Sequence, residues 1–251
     1  MTDDLTRDGF LGGRVTVWQP AAGYRAGNDP VLLAAACGAG PGDSVLDLGA
    51  GVGVASLCLS WRVGGLRVTA VERQRTYAEL ARRNASENGL TLEVVEADLA
   101  ALPPDLRRRS FDHVIANPPY FARGAGTPAR DAGRAGGRQE DTPLATWLSV
   151  AAARLGPKGW LTLIQVAERL PACLAAMRGF GGIAVRPLQS RPGRDAGRVI
   201  LRARKGARAP FRLLPPLLLH ERAGHGQDGG DYTPEMTAIL REGRALDWPR
   251  A

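Results

Sequence analysis

Ser44-Val45-Leu46-Asp47-Leu48-Gly49-Ala50-Gly51-Val52-Gly53 decides the fold. The first five residues are mostly apolar and short in span, which reads as a buried β-strand. Gly49, Gly51 and Gly53 follow at once and let the backbone turn tightly and come close to a ligand. Residues 52–62 then read as a helix. A strand, a glycine-rich turn and a helix open an α/β unit.

The same alternation runs outward from this stretch. Upstream, residues 14–18 read as a strand, and Asp29 reads as the cap of a helix reaching Cys37, with Pro30 in its first turn. Downstream, strands are expected at 66–72, 92–96 and 111–116, with a helix over 74–87 closed by Asn88-Gly89. Residues 121–138 are rich in Gly, Ala and Arg and read as a loop. Then come a helix (142–155), a strand (160–166), a helix (168–178) and two strands (183–187, 198–204) joined by a Gly/Arg turn. Pro215-Pro216 weakens 213–220 to an edge strand at most, and a short helix is expected over 234–241. Trp18 and Trp160 alternate with apolar strand residues and are expected in the core. The pattern is α/β: a doubly wound, mainly parallel sheet, whose ligands sit beyond the carboxyl ends of the strands.

The glycine turn carries a cofactor expectation. A dinucleotide fingerprint is G-x-G-x-x-G with a pyrophosphate on the helix N-terminus. Here the spacing is G-x-G-x-G, and Asp47 just before it would repel a pyrophosphate while suiting an ammonium group. That favours S-adenosylmethionine, which carries an ammonium and no phosphate. Glu72 ends the next strand, where a carboxylate can accept both ribose hydroxyls. Asp98 ends the third strand, where it either meets an adenine edge or caps the following segment.

Asn117-Pro118-Pro119-Tyr120 ends the fourth strand. Two prolines remove two amide donors and stiffen the chain. The Asn117 side-chain oxygen and the Pro118 carbonyl then offer two acceptors, which suits an exocyclic –NH2 group. Tyr120 can stack on the flat system that bears it. No His, Cys or Lys lies in this segment, so in-line transfer by positioning fits better than a covalent intermediate.

These residues resemble the class I methyltransferases with an Asn-Pro-Pro-Tyr motif. Tyr24-Arg25-Ala26-Gly27-Asn28-Asp29-Pro30-Val31-Leu32-Leu33 and the ending Tyr232-Thr233-Pro234-Glu235 resemble the bacterial tRNA1(Val) adenine-37 N6-methyltransferase family. The resemblance implies a Rossmann-like, mainly parallel seven-stranded sheet with a small N-terminal β extension. It implies that residues 1–28 close over the cofactor and that 29–251 form the methyltransferase domain. Cofactor contacts implied are Tyr24, Arg25, Asn28, Asp29, Asp47, Gly49, Ala50, Gly51, Gly53, Glu72, Arg73, Asp98, Leu99 and Asn117. The implied reaction is N6-methylation of adenine in tRNA, with Asn117, Pro118, Pro119 and Tyr120 catalytic. The same motif occurs in enzymes that methylate adenine in DNA, guanine in ribosomal RNA or a glutamine amide in protein, so the acceptor stays open here.

Charge bears on the partner. The chain has 251 residues, a net charge of +8 and 33 basic residues, a balance that favours polyanions. Arg123, Arg130, Arg134 and Arg138 are candidates to grip RNA phosphates, and Arg202, Arg204, Lys205, Arg208 and Arg212 to extend the track. The three cysteines match no zinc spacing, so neither a metal nor a disulfide framework is expected. No apolar run approaches the roughly 20 residues needed to cross a bilayer. The acidic start Met1-Thr2-Asp3-Asp4 does not read as a signal peptide. A cytoplasmic location is expected.

Overall fold

The computed structural model describes residues 4–23, 25–120, 142–222 and 231–249, and the backbone of 121–122 and 139–140. Tyr24 and the arginines Arg123, Arg130, Arg134 and Arg138 therefore lie outside the described residues.

The opening motif forms β3 (Ser44–Leu48), and the chain leaves it through three glycines into a helix (Val54–Val63). Numbering in chain order, β1 (Leu5–Phe10) and β2 (Val15–Pro20) precede α1 (Asn28–Ala36), and the helix after β3 is α2. β4 (Arg67–Glu72), α3 (Arg75–Glu87), β5 (Glu93–Glu96), α4 (Pro104–Arg108) and β6 (Phe111–Ala116) follow. After the two-residue strands β7 (Phe121–Ala122) and β8 (Gln139–Glu140) come α5 (Leu144–Arg154), β9 (Leu155–Val166) and α6 (Leu170–Ala176). The remainder is β10 (Phe180–Gln189), β11 (Ala196–Lys205), β12 (Arg212–Leu213), β13 (Leu217–Leu218) and α7 (Pro234–Glu242).

The main sheet runs β12-β10-β11-β9-β6-β3-β4-β5, with β13 also beside β10. All its neighbours are parallel except at β11, which is antiparallel to both β9 and β10. It is therefore nine-stranded, not seven-stranded. The two additions, β12 and β13, are two-residue edge pieces on either side of Pro215-Pro216, which cannot donate to a ladder. Chain order reverses between β3 and β6, and that switch point is where a doubly wound sheet opens a crevice.

Alternation along the strands splits the core in two. Val45, Ile115, Ile164 and Ile200 join residues of α1, α2 and α7 on one face. Leu46, Val114, Leu161 and Leu201 join α5 and α6 on the other. Seven of the nine residues of α1 are buried, so it is an internal helix rather than an amphipathic cover.

β1 and β2 form a separate antiparallel hairpin. The sequence reading missed β1, whose Thr6-Arg7-Asp8-Gly9 run has no apolar alternation. Asn84 of α3 and Asn88, which caps that helix, act as its third strand. Asn88 accepts from the Thr16 amide at 2.9 Å and donates to its carbonyl at 2.7 Å. Buried Asn84 does the same for Trp18 at 2.8 and 3.1 Å.

The expected core tryptophans lie elsewhere. Trp18 is half-buried, donates to Glu87 at 2.7 Å and carries the Arg83 guanidinium 4.3 Å from its ring. Trp160 is half-buried beneath Arg202 and Arg204. Their polar edges need partners that an apolar core lacks. Among the described residues no helix is long and apolar enough to cross a membrane.

Candidate active site

One cavity of about 310 Å³ opens at the carboxyl ends of β3, β4 and β6, at the lower end of the range for small-molecule sites. Arg25, Asn28, Asp29, Asp47, Gly49, Ala50, Gly51, Glu72, Arg73, Asp98, Leu99 and Asn117 through Tyr120 all line it. The sequence motifs, scattered over nearly a hundred residues, thus converge on one space. Gly53 does not line it. It takes φ +90° at the start of α2, and a Cβ there would pack against Ala81 at 3.4 Å. Its role is helix entry.

Gly49 is constrained from two directions. Its φ is +68°, and an added Cβ would lie 2.4 Å from the Trp147 ring. Trp147 itself is buried, and its indole donates to the Thr142 carbonyl at 3.2 Å. Trp147 lines the cavity from α5 and went unnoticed in the sequence, where it is one apolar position of an ordinary helix.

Asp47 is 2% exposed and accepts from the Ser56 hydroxyl at 2.7 Å. Burial pushes its carboxyl up from the ordinary 3.8 to about 7; the Ser56 bond opposes the rise and the nearby Glu72 charge adds to it. Both oxygens of Glu72 already hold backbone amides, Gly51 at 2.9 Å and Gln74 at 2.8 Å. Each keeps a further lone pair for a ligand hydroxyl. Asp98 caps the turn after β5, accepting from the Ala100 amide at 2.8 Å, while still lining the cavity.

The Asn117–Tyr120 segment is held from behind. The Nε2 of fully buried Gln165 lies 3.4 Å from the Pro118 carbonyl and 3.5 Å from that of Pro119. Gln165 cannot turn, because its Oε1 accepts from the Val166 amide at 2.9 Å. Arg169 donates to the Pro119 carbonyl at 3.0 Å. Among the described residues the Asn117 side chain makes no hydrogen bond, so its amide is available to a ligand.

Asp29 does not cap α1. The N-cap position is Gly27, with no side-chain cap. The Asp29 carboxylate instead accepts from the Tyr120 hydroxyl and pairs with Arg198. Arg198 reaches the cavity from β11, and nothing local in its sequence marks it. Arg25 pairs with Asp8 of β1 at 2.7 Å.

The second basic cluster lies at the wrong end. β11 is antiparallel to β9, with Arg198 opposite Val166 and Arg204 opposite Trp160. Six residues of strand put Arg204 roughly 20 Å from the cavity mouth, and Lys205 follows it at the amino end of the sheet.

With this geometry the comparisons with known proteins agree. A model of the methyltransferase small domain matches residues 31–132. The tRNA1(Val) (adenine(37)-N6)-methyltransferase of Porphyromonas gingivalis is 30% identical over 250 residues, covering 94% of either chain. The chain belongs to this methyltransferase family. The protein of the same name from Klebsiella pneumoniae is 32% identical over 70% of this chain and 73% of its own. A predicted O-methyltransferase from Agrobacterium tumefaciens superimposes with a TM-score of 0.70 and 30% identity, covering 87% of this chain and 98% of its own. The 16S rRNA N2 G1207 methyltransferase of T. thermophilus shares the fold, with a TM-score of 0.56 and 23% identity over 80% of this chain and 50% of its own. The protein is thus a class I, S-adenosylmethionine-dependent methyltransferase.

Proposed function

We propose that this enzyme methylates the exocyclic N6 of an adenine in tRNA, in the cytoplasm. The observation that carries the reading is the shared cavity: Asn117, Pro118 and Tyr120 line the same space as Asp47, Gly49 and Glu72. The Porphyromonas gingivalis relative named for tRNA adenine N6-methylation, 30% identical over 94% of this chain, supports the same acceptor.

The residues present fit the cofactor. A buried carboxylate, Asp47, suits an ammonium; Glu72 at the end of β4 suits two ribose hydroxyls; Asp98 and Leu99 suit an adenine edge. Arg25, Asn28 and Arg73 close the rim, with Gly49, Ala50 and Gly51 as floor and the segment 1–28 as cover, whereas both Asp29 oxygens are taken by Tyr120 and Arg198. When bound, S-adenosylmethionine supplies a methyl group activated by a sulfonium charge.

The remaining work falls to the acceptor segment. The amine's lone pair is delocalised into the purine ring, which makes it a weak nucleophile. Asn117 Oδ1 and the Pro118 carbonyl accept its two hydrogens, aim the nitrogen and favour its pyramidal form. The Pro118 oxygen has two lone pairs, and the long Gln165 contact leaves one for the amine. The nitrogen proton becomes acidic only as the N–C bond forms, so positioning does most of the work and no strong base is required. Tyr120 stacks on the base, which leaves its own stack or comes from a loop. Arg123, Arg130, Arg134 and Arg138 would grip the flanking phosphates.

Asn117→Ala tests this. Transfer of labelled methyl to tRNA should fall by about 10²–10³-fold, the scale for losing one preorganised polar contact to a reacting group. Calorimetric affinity for S-adenosylmethionine should stay close to wild type. Full transfer by the variant would overturn the assignment.

A further inference from the structure

We propose that Asp29 and Arg198 are positioning residues for Tyr120, fixing the place of the ring on which the acceptor base stacks. The inference rests on the stacking role proposed for Tyr120. Three segments distant in the chain meet here: the first turn of α1, the end of the β6 loop and the start of β11. Both Asp29 oxygens are committed, Oδ2 to the Tyr120 hydroxyl and Oδ1 to Arg198. The Asp29 side chain is 13% exposed and that of Arg198 34%, so the carboxylate is largely shielded from water while the guanidinium keeps part of its surface at the cavity rim.

The local chemistry explains why these residue types are needed. An aspartate in a helix's first turn ordinarily serves the free backbone amides there. Asp29 turns away from them and into the cavity, where Asp47 and Glu72 add two more carboxylates. Ion-paired with Arg198, the Asp29 carboxylate is a fixed acceptor for the Tyr120 hydroxyl. A tyrosine tethered at its Cβ and again at its hydroxyl has its ring axis fixed in place, through χ1; untethered, the ring can swing to other χ1 positions. The anchor is itself braced. Neighbouring Asn28 donates to the Tyr232 hydroxyl at 2.9 Å, and Tyr232 stacks on His220 with centroids 4.7 Å apart.

The test separates an action on Tyr120 from an action on the cofactor. Tyr120→Phe and Asp29→Ala should each lower kcat for tRNA by about tenfold, short of the 10²-fold that a 1 Å misplacement can cause. KM and the calorimetric affinity for S-adenosylmethionine should stay within about twofold. The double variant should be no worse than the poorer single one, because both remove the same tether. Arg198→Ala should share the loss and Arg198→Lys should recover most of it. Losses that multiply in the double variant would overturn the inference. So would an Asp29→Ala defect in cofactor affinity that matches its kcat defect. Fluorine NMR of the 3-fluorotyrosine-labelled enzyme gives a readout independent of the acceptor. Of four tyrosine signals, the one absent in Tyr120→Phe should move and broaden in Asp29→Ala and Arg198→Ala. If it moves while wild-type enzyme methylates no tRNA, the functional reading fails and the anchor stands. If it does not move, the anchor is wrong whatever the acceptor.

Discussion

Arg198 and Arg204 stand six residues apart on β11 and meet opposite surroundings. At the carboxyl end of the sheet, Arg198 pairs with a carboxylate at the rim of a cavity. At the amino end, Arg204 lies 5.5 Å from the Trp160 ring and donates to the Lys158 carbonyl at 2.9 Å. Arg202 sits between Trp160 and Trp248, 4.7 and 5.1 Å from their rings. Lys205 donates to the Leu155 carbonyl, and Arg212 to that of Pro249 at 2.7 Å. Arg202, Arg204, Lys205 and Arg212 are thus engaged by aromatic faces and backbone carbonyls, and Arg202 and Arg212 bind the C-terminal segment to the sheet. The carboxyl end concentrates buried carboxylates instead, and its cations answer them. Arginines of one strand therefore do different work, and the direction of β11 separates them.

Glycine breaks this comparison most sharply. Gly49 at the carboxyl end and Gly64 at the amino end both have positive φ, +68° and +65°, but only Gly49 faces a side chain. Gly49→Ala puts a Cβ into Trp147, whose position is fixed by burial and its bond to Thr142. We expect affinity for S-adenosylmethionine to fall by about 10²-fold, the scale of a 1 Å displacement of a binding group. Gly64→Ala meets nothing within 4 Å; with φ +65° and ψ 150° it should cost the backbone term of a region that favours glycine, about 1–3 kcal/mol, with cofactor affinity intact. Calorimetry on both variants checks the pair; equal losses of affinity would dissolve the distinction.

A pH titration comes next in size and concerns the carboxyl end alone. With Asp47 pushed up to about 7, the empty protein holds its proton more tightly than the unfolded chain does. Its stability therefore falls as pH rises from about 4 to about 7 and levels off above. Cofactor affinity should run the other way. A cationic ammonium binds the carboxylate form, so affinity should rise toward pH 8 and weaken by up to about tenfold per pH unit below 7. Asp47→Asn should bind more weakly at pH 8 and lose this slope. A wild-type affinity flat between pH 6 and 8 would remove Asp47 from the ammonium site.

What could be read from the sequence follows the same division. Residues 47–53, Glu72 and 117–120 were legible because each lies where one strand runs directly into its own loop. Trp147, Gln165 and Arg198 were not, because they come to the site from α5, β9 and β11, whose neighbours only the folded sheet decides. Asp29 misled for a related reason. A local reading makes it a helix cap, and two partners 91 and 169 residues away outcompete the local amides. The seven long strands were visible in the hydrophobic runs. The two edge pieces around Pro215-Pro216 were visible only as a weakened strand, since a proline pair hides the pairing on either side of it.

The smallest effect on activity, and the sharpest statement about the amino end, belongs to Arg202. Burial holds its guanidinium below the ordinary range, and its Nε has no hydrogen-bond partner among the described residues. Two indole faces are thus its main compensation. Arg202→Ala should destabilise the fold by about 1–2 kcal/mol, through lost cation–π contact and lost packing of the stem. Its distance from the cavity predicts unchanged kcat, and its commitment to Trp160 and Trp248 predicts an unchanged dependence of tRNA binding on salt. Each phosphate contact contributes about −0.9 to the slope of log K against log salt on a duplex, so losing even one contact would be measurable. A slope shallower by that amount in Arg202→Ala would mean that the amino end also touches RNA. The two ends would then form one continuous track, and the direction of β11 would no longer separate them.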